Sequence, residues 1–228
     1  MVGVYTTSDN DHDPRRLVLS IATRIGALFL GVALMQAAAP DDAVAQQRSI
    51  FSLDGRAGVA FPAGEISNFE STGFAWGGGV AFWLTRVVGI RGDIQFDYLV
   101  GKSFPTGVRS PDLDLRHLSG SLVFNFPAPQ WQSVPLTFMW DLGAGVTNWK
   151  TATGGLFTFD KSYFTANSGA LIGYEASKNF NFFIGARAYL MVIDEDDTIV
   201  WAALDPTIST FTTSWSIPVF AGLMVSLP

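Results

Sequence analysis

The sequence predicts an all-β fold, an eight-stranded antiparallel up-and-down transmembrane β-barrel, and three observations carry that expectation. Segments of two-residue alternation recur about eight times, each longer than the roughly 5–6 residues usual in a sheet and long enough for the about 9–11 of a membrane-crossing strand. The connections between them alternate short and long, which puts the long ones at one end of the sheet. One face of each segment is large and apolar, while the other carries small residues and a few charges.

The first 45 residues read as a secretory leader rather than as fold. Arg15, Arg16 and Arg24 precede the apolar run 25–39, "IGALFLGVALMQAAA", and Ala43-Val44-Ala45 supplies small residues ahead of a cleavage point after Ala45. The run is shorter than the ~20 apolar residues of a helical span, so cleavage is expected rather than anchoring. The residues around Arg15-Arg16 match twin-arginine export poorly, which leaves the Sec route. With the leader removed, the domain is 46–228 and its 11 basic and 15 acidic residues leave a net charge of −4, from −6 in the full chain.

Composition narrows the function. The chain is 48% hydrophobic and only 15% charged, yet 23 glycines and 7 tryptophans set it apart from a helical membrane protein. It has no cysteine and two histidines, which leaves no thiolate site, no thiol nucleophile and no histidine-rich metal site, so no cofactor and no metal centre are expected. The acidic balance argues against nucleic acid, which selects basic surfaces.

In order, the strands are expected at about 50–61, 73–84, 88–99, 115–126, 135–148, 164–175, 180–192 and 212–227. The third shows the pattern best: Val88, Ile90, Ile94, Phe96 and Tyr98 share one side, and Arg91, Asp93, Gln95 and Asp97 the other. The second opposes Phe74, Trp76, Val80 and Phe82 to Ala75, Gly77, Gly79 and Ala81. The fourth places His117, Ser119, Ser121 and Asn125 together. The fifth opposes Leu136, Phe138, Trp140 and Leu142 to Thr137, Met139, Asp141, Gly143 and Gly145. Glycine weakens an ordinary strand but suits the narrow interior of an eight-stranded barrel. The apolar face would aggregate in water and is stable in lipid. Short links at 85–87, 127–134 and 176–179 alternate with long ones at 62–72, 100–114, 149–163 and 193–211. Aromatic girdles are expected at both interfaces, from Tyr98 and Trp149 near the long loops and from Phe126, Trp131, Tyr174 and Phe180 near the turns. Pro218 conflicts with the eighth strand, because it has no ladder N–H, and calls for a bulge or a later strand start.

The run "GRAGVAFPAGEISNFESTGFAWGGGVAFWLTRVVGIRGDIQFDYL" (55–99) resembles the opening strands of small outer-membrane β-barrel proteins, the OmpA transmembrane domain, OmpX and the opacity-type proteins. The resemblance is one of pattern and extends over 48–228. It implies the outer membrane of a Gram-negative-type bacterium, with lipid and lipopolysaccharide as surroundings, the barrel-assembly machinery as a partner during insertion, and long loops available to an extracellular ligand. Such barrels usually end in an aromatic that the assembly machinery reads, whereas this chain ends "GLMVSLP" with Leu227 and Pro228.

If the polar face is the interior, it encloses Asp54, Arg56, Arg91, Asp93, Asp97, Asp141, Glu175 and Arg187. Asp54, Arg56, Arg91, Asp93, Asp141 and Arg187 fall at similar depth, counted from the turn end of each strand. Enclosed ions need partners, so a salt-bridge plug that closes the lumen is the leading expectation, ahead of a gated or narrow ion path. His117 and Ser119 form an H-x-S pair slightly like that of outer-membrane lipid A deacylases, but alternation points His117 into the lumen, away from lipid. The better reading is a polar rim histidine. In the last loop Asp194, Glu195, Asp196 and Asp197 could bind Ca²⁺ through oxygen ligands, although a solvated acidic loop is the commoner outcome. A structural or surface-binding barrel, a small channel and a lipid-modifying enzyme therefore stand in that order.

Overall fold

The structure, a computed structural model, describes residues 50–104, 107–127, 136–151, 159–177, 179–202 and 210–227. The expected leader 1–45, Trp131, Asp205 and Pro228 lie outside these residues, as does the side chain of Trp201. Among the described residues no helix is long and apolar enough to cross a membrane.

Eight strands form: β1 (Phe51–Gly64), β2 (Glu70–Trp83), β3 (Val88–Gly101), β4 (Leu113–Pro127), β5 (Leu136–Thr151), β6 (Asp160–Glu175), β7 (Phe180–Val192) and β8 (Thr213–Leu227). Each pairs antiparallel with its neighbour in sequence, and β1 with β8 from Phe51↔Leu227 to Gly64↔Ser214, so the sheet closes into a barrel. Closure is the reason such long, apolar strands are stable, because it leaves no backbone edge unpaired.

The outward face explains the alternation. On β1 it carries Phe51, Leu53, Gly55, Ala57, Val59 and Phe61; on β6 it carries Phe164, Ala166, Ser168, Ala170, Ile172 and Tyr174. Large apolar side chains stand exposed here, among them Phe74 at 56% and Ile184 at 62%, with no charge between them, which is the signature of a lipid-facing band. Ser168, a polar exception, is satisfied locally: it accepts from the Trp140 indole at 3.1 Å and donates to the Asp141 carbonyl at 3.1 Å. Charges return above the band at Asp114, Arg116, Lys150 and Asp160, toward the β3–β4 and β5–β6 loops.

The strands run further toward the loop end than the alternation suggests, and the strict short–long pattern gives way. The first connection, expected at 62–72, is the tight segment 65–69, a 3-10 turn at Glu65–Asn68 entered through Gly64 at φ 70°. The β4–β5 connection at 128–135 spans as many residues as the β5–β6 one at 152–159. Beyond Ala60, β1 keeps its partner in β8 rather than in β2, which is how it extends past the first hairpin.

Pro218 causes neither a bulge nor a later start. It pairs with Ala60 in an unbroken β1–β8 register, while the β7–β8 ladder lapses between Ala186↔Val219 and Tyr189↔Ser216. The N–H that proline lacks would have pointed toward β7, so the loss is confined to that side. Trp149 also departs from expectation. It lies inside the barrel, 1% exposed, packed edge-on against Phe159 and Tyr163 instead of standing in a girdle. Tyr98 does stand outside, and its hydroxyl donates to Asp112 at 2.8 Å.

Candidate functional site

The inward residues stack in three levels. Toward the turns, Met139, Leu171, Phe183, Phe220 and Met224 pack with Trp83. Toward the loops, Ile66, Phe69, Leu99, Leu115 and Trp149 belong to a second apolar cluster. Between them lie the charges.

Asp93 of β3 is the hub. It meets Arg56 Nη1 at 2.7 Å, Arg91 Nε at 2.7 Å and Arg187 Nη1 at 3.0 Å. Asp54 joins Arg56 at 3.0 Å and Arg91 at 2.6 Å, and Asp141 joins Arg187 at 2.5 Å. Three guanidinium groups thus face three carboxylates, with side chains at most 2% exposed, so almost none of their charge is left to water. The Arg56 guanidinium also lies 5.1 Å from the centre of the Phe220 ring, where charged and apolar levels meet. Small residues make room for these arms. A Cβ on Gly79 would come within 2.8 Å of both Arg91 Nη2 and Asp93 Oδ1.

A second set sits above the hub. Arg56 donates to Gln95 Oε1 at 2.9 Å, and Gln95 donates to Asp97 at 2.9 Å. Asp97 Oδ2 also accepts from Ser216 at 2.6 Å and contacts His117 Nε2 at 3.2 Å. His117 Nδ1 meets the Thr147 hydroxyl at 2.6 Å, and the ring stacks on Tyr189 with centroids 4.0 Å apart.

Of the residues expected in the lumen, Asp54, Arg56, Arg91, Asp93, Asp97, Asp141 and Arg187 are brought together. Glu175 is not. It has inward parity but ends β6 at the turn side, where it is exposed. His117 is no rim residue, being 1% exposed in mid-lumen, and Asp97 is the acidic partner that spacing alone does not reveal. Ser216 and His117 both bond the same Asp97 oxygen, so the imidazole does not activate that hydroxyl. Among the described residues Ser119 Oγ has no hydrogen-bond partner. Neither serine is therefore set up as a base-activated nucleophile.

The acids of the last loop diverge. They open a helix, α1 (Glu195–Ala202), which favours negative charge in its first turn. Asp194 accepts from the Asp196 amide at 3.3 Å, Glu195 from Thr210 at 2.6 Å, and Asp197 from Tyr163 at 2.9 Å with Lys161 at 3.3 Å. Among the described residues no group of three or more His, Asp or Glu side chains is placed to hold a metal ion.

At the loop end above the apolar band, Glu70 is fully buried and accepts from Ser110 at 3.0 Å. Burial pushes its carboxyl up to about 8, against the Ser110 hydrogen bond and with nearby Asp112 adding to the rise. The folded chain then holds a proton that the unfolded chain loses from its ordinary value of 4.5 upward. Stability of this end should fall as pH rises from about 4.5 to about 8 and then level off. Protection of the Ser110 amide, its exchange rate taken relative to the unstructured rate at each pH, should fall across that window, and Glu70→Gln should flatten the response. An unchanged profile in the variant would mean another group titrates.

Eight antiparallel strands, an apolar belt and an enclosed charge network define the class: the fold is that of a small outer-membrane β-barrel. In fold the chain is similar to neisserial surface protein A, with TM-score 0.55 and 14% identity over 78% of this chain and 98% of that one. It is also matched to two Pseudomonas aeruginosa barrels. For the N-terminal domain of OprF the TM-score is 0.45 at 14% identity, covering 77% of this chain and 97% of that one. For OprG it is 0.46 at 8% identity, covering 79% and 97%. No family model and no curated protein matches the sequence.

Proposed function

We propose that the chain is an outer-membrane protein of a Gram-negative-type envelope with a structural or surface-binding role, its lumen sealed by the salt-bridge network, and that it neither conducts nor catalyses. In this reading residues 1–45 direct Sec export, and 46–228 are inserted by the barrel-assembly machinery. The observation that carries the proposal is the buried set of three arginines and three aspartates lying between two apolar levels. An ion crossing the lumen would have to break pairs that low polarity makes strong, and then pass side chains that cannot hydrate it.

Contacts then belong to the outer rim. Arg116, Lys150 and Lys161 project just above the apolar band with side chains 45–56% exposed, and each has an acidic neighbour. Such a mixed belt suits the phosphates of lipopolysaccharide and the cations that bridge them, and the loops above it are free to take an extracellular ligand.

Purified protein refolded into planar bilayers should give a flat current trace. Steady single-channel steps would favour the narrow-pore reading, and altered lipid A on expression, lost in His117→Ala, would favour the enzyme.

A further inference from the structure

The β3–β4 connection turns at Gly107, φ 80°, and its return limb 107–112 lies back against the end of β3. Backbone bonds hold it there: the Ser110 amide donates to the Lys102 carbonyl at 2.8 Å, the Phe104 amide donates to the Val108 carbonyl at 2.8 Å, and Ser103 bridges to Arg109. One residue lets the limb come so close. A Cβ on Gly101 would collide with the Ser110 carbonyl, so the crossing needs glycine at that place. Gly101 is also the register partner of Glu70 on β2, and across it Ser110 Oγ donates to Glu70 Oε1 at 3.0 Å. Glu70 and Ser110 are both buried. Phe69, Phe104 and Leu113, close to them in the chain, belong to the upper apolar cluster.

Two catches hold the limb, and their chemistry differs. The outer one is ionic and partly in water: Asp112 accepts from the Tyr98 hydroxyl at 2.8 Å, from the Gly101 amide at 2.9 Å and from Arg109 Nη2 at 2.9 Å. The inner one is the Glu70–Ser110 bond. The charged groups that face Glu70 are Asp112, Arg109 and Lys102, all of the β3–β4 connection. Both cations are engaged elsewhere. Arg109 serves Asp112 and the Gly101 carbonyl, and Lys102 Nζ donates to the Ser67 carbonyl at 2.6 Å. Asp112 opposes a negative charge on Glu70, as burial does. A carboxylate enclosed in this way costs far more than a neutral carboxylic acid.

We propose that the limb 107–112 is a proton-operated lid: with Glu70 protonated it lies shut on the loop end of the barrel, and when that proton passes to water the carboxylate turns out to solvent and the limb lifts off β3. The bonds of Asp112 to Tyr98 and to the Gly101 amide stay made and serve as the hinge. Opening bares the upper apolar cluster to the outside. The arginine–aspartate set lies below that cluster and is left in place, so the lid works whether or not the lumen is sealed. Because the closed form holds a proton that the open form releases, the closed-to-open ratio falls by up to about tenfold per pH unit between about 4.5 and about 8 and is level outside that window.

Amide exchange of the full barrel in micelles tests the lid, each rate divided by the unstructured rate at the same pH. Protection at Ser110 should fall by up to about tenfold per pH unit across that window, while protection at Ser119, deep in β4, holds. In Glu70→Gln both should hold. A thiol gives a second readout, since the chain has no cysteine of its own. Leu99, the next inward residue below Gly101 on β3, is fully buried. In Leu99→Cys, modification by a charged thiol reagent, taken relative to the unfolded chain, should speed up over the same window, and adding Glu70→Gln should abolish the change. Should Leu99→Cys not fold, exchange in the unmodified sequence and in Glu70→Gln decides alone. Flat protection at Ser110 would overturn the proposal. So would an equal fall at Ser119, which would mean that the whole barrel loosens, or a fall that survives Glu70→Gln, which would give the proton to another group.

Discussion

Replacing Asp93 by alanine is expected to lower the unfolding free energy of the barrel by about 3–5 kcal/mol. Asp93 is 3% exposed and is the carboxylate on which Arg56, Arg91 and Arg187 converge. Without it Arg56 and Arg91 must share Asp54, and Arg187 keeps Asp141. Three positive charges then stand over two carboxylates where water does not reach. The loss should appear as a lower urea midpoint for protein refolded in micelles. The control is Asp114→Ala at the rim, which removes an ion pair with a half-exposed Arg116 and should cost no more than about 1 kcal/mol. Equal effects of the two substitutions would mean that enclosure adds nothing, and the plug would lose its energetic basis.

The second large effect is expected on the outer face. Ile94 lies in the middle of the apolar band and is 46% exposed. In a bilayer, Ile94→Arg should cost about 2–4 kcal/mol, the penalty for a cation near the midplane of a barrel wall. On a water-facing sheet the same change at so exposed a position would fall within about 0.5 kcal/mol. Val100→Arg, beyond Tyr98 at the loop end of the same strand, should cost about 0–1 kcal/mol. A depth-dependent penalty along β3 is therefore the quantity to measure, by equilibrium unfolding in lipid.

Period-2 alternation made much of this structure readable. It fixes which face each side chain takes, because a strand has no third option, and in the structure Arg91, Asp93, Asp141 and Arg187 lie buried on the inward face. Parity does not give height. Glu175 has the right parity and the wrong depth, since where β6 passes the end of the lumen depends on barrel tilt and not on local sequence. Trp149 failed differently. It shares the inward parity of Asp141 and Thr147, but its size and its place near a loop suggested a girdle. The upper part of the site was the least legible. The Asp97–Ser216 contact crosses the lumen between residues 119 positions apart, and the Asp97–His117 contact depends on the register of β3 against β4; no local pattern encodes either meeting. The first connection was misjudged because polar and small residues at 62–64 and 70–73 look like loop, while closure through β8 and β3 keeps them in strands.

Whether the apolar face meets lipid is tested most directly by nitroxide labels at Ile94 and Leu118, both outward, on barrels in bilayers. Collision with oxygen should be high and with a water-soluble nickel chelate low at both sites, with the reverse at a label on exposed Lys102 in the β3–β4 loop. Free access of the nickel chelate to Ile94 and Leu118 in folded protein would contradict the account, because water would then cover the face assigned to lipid.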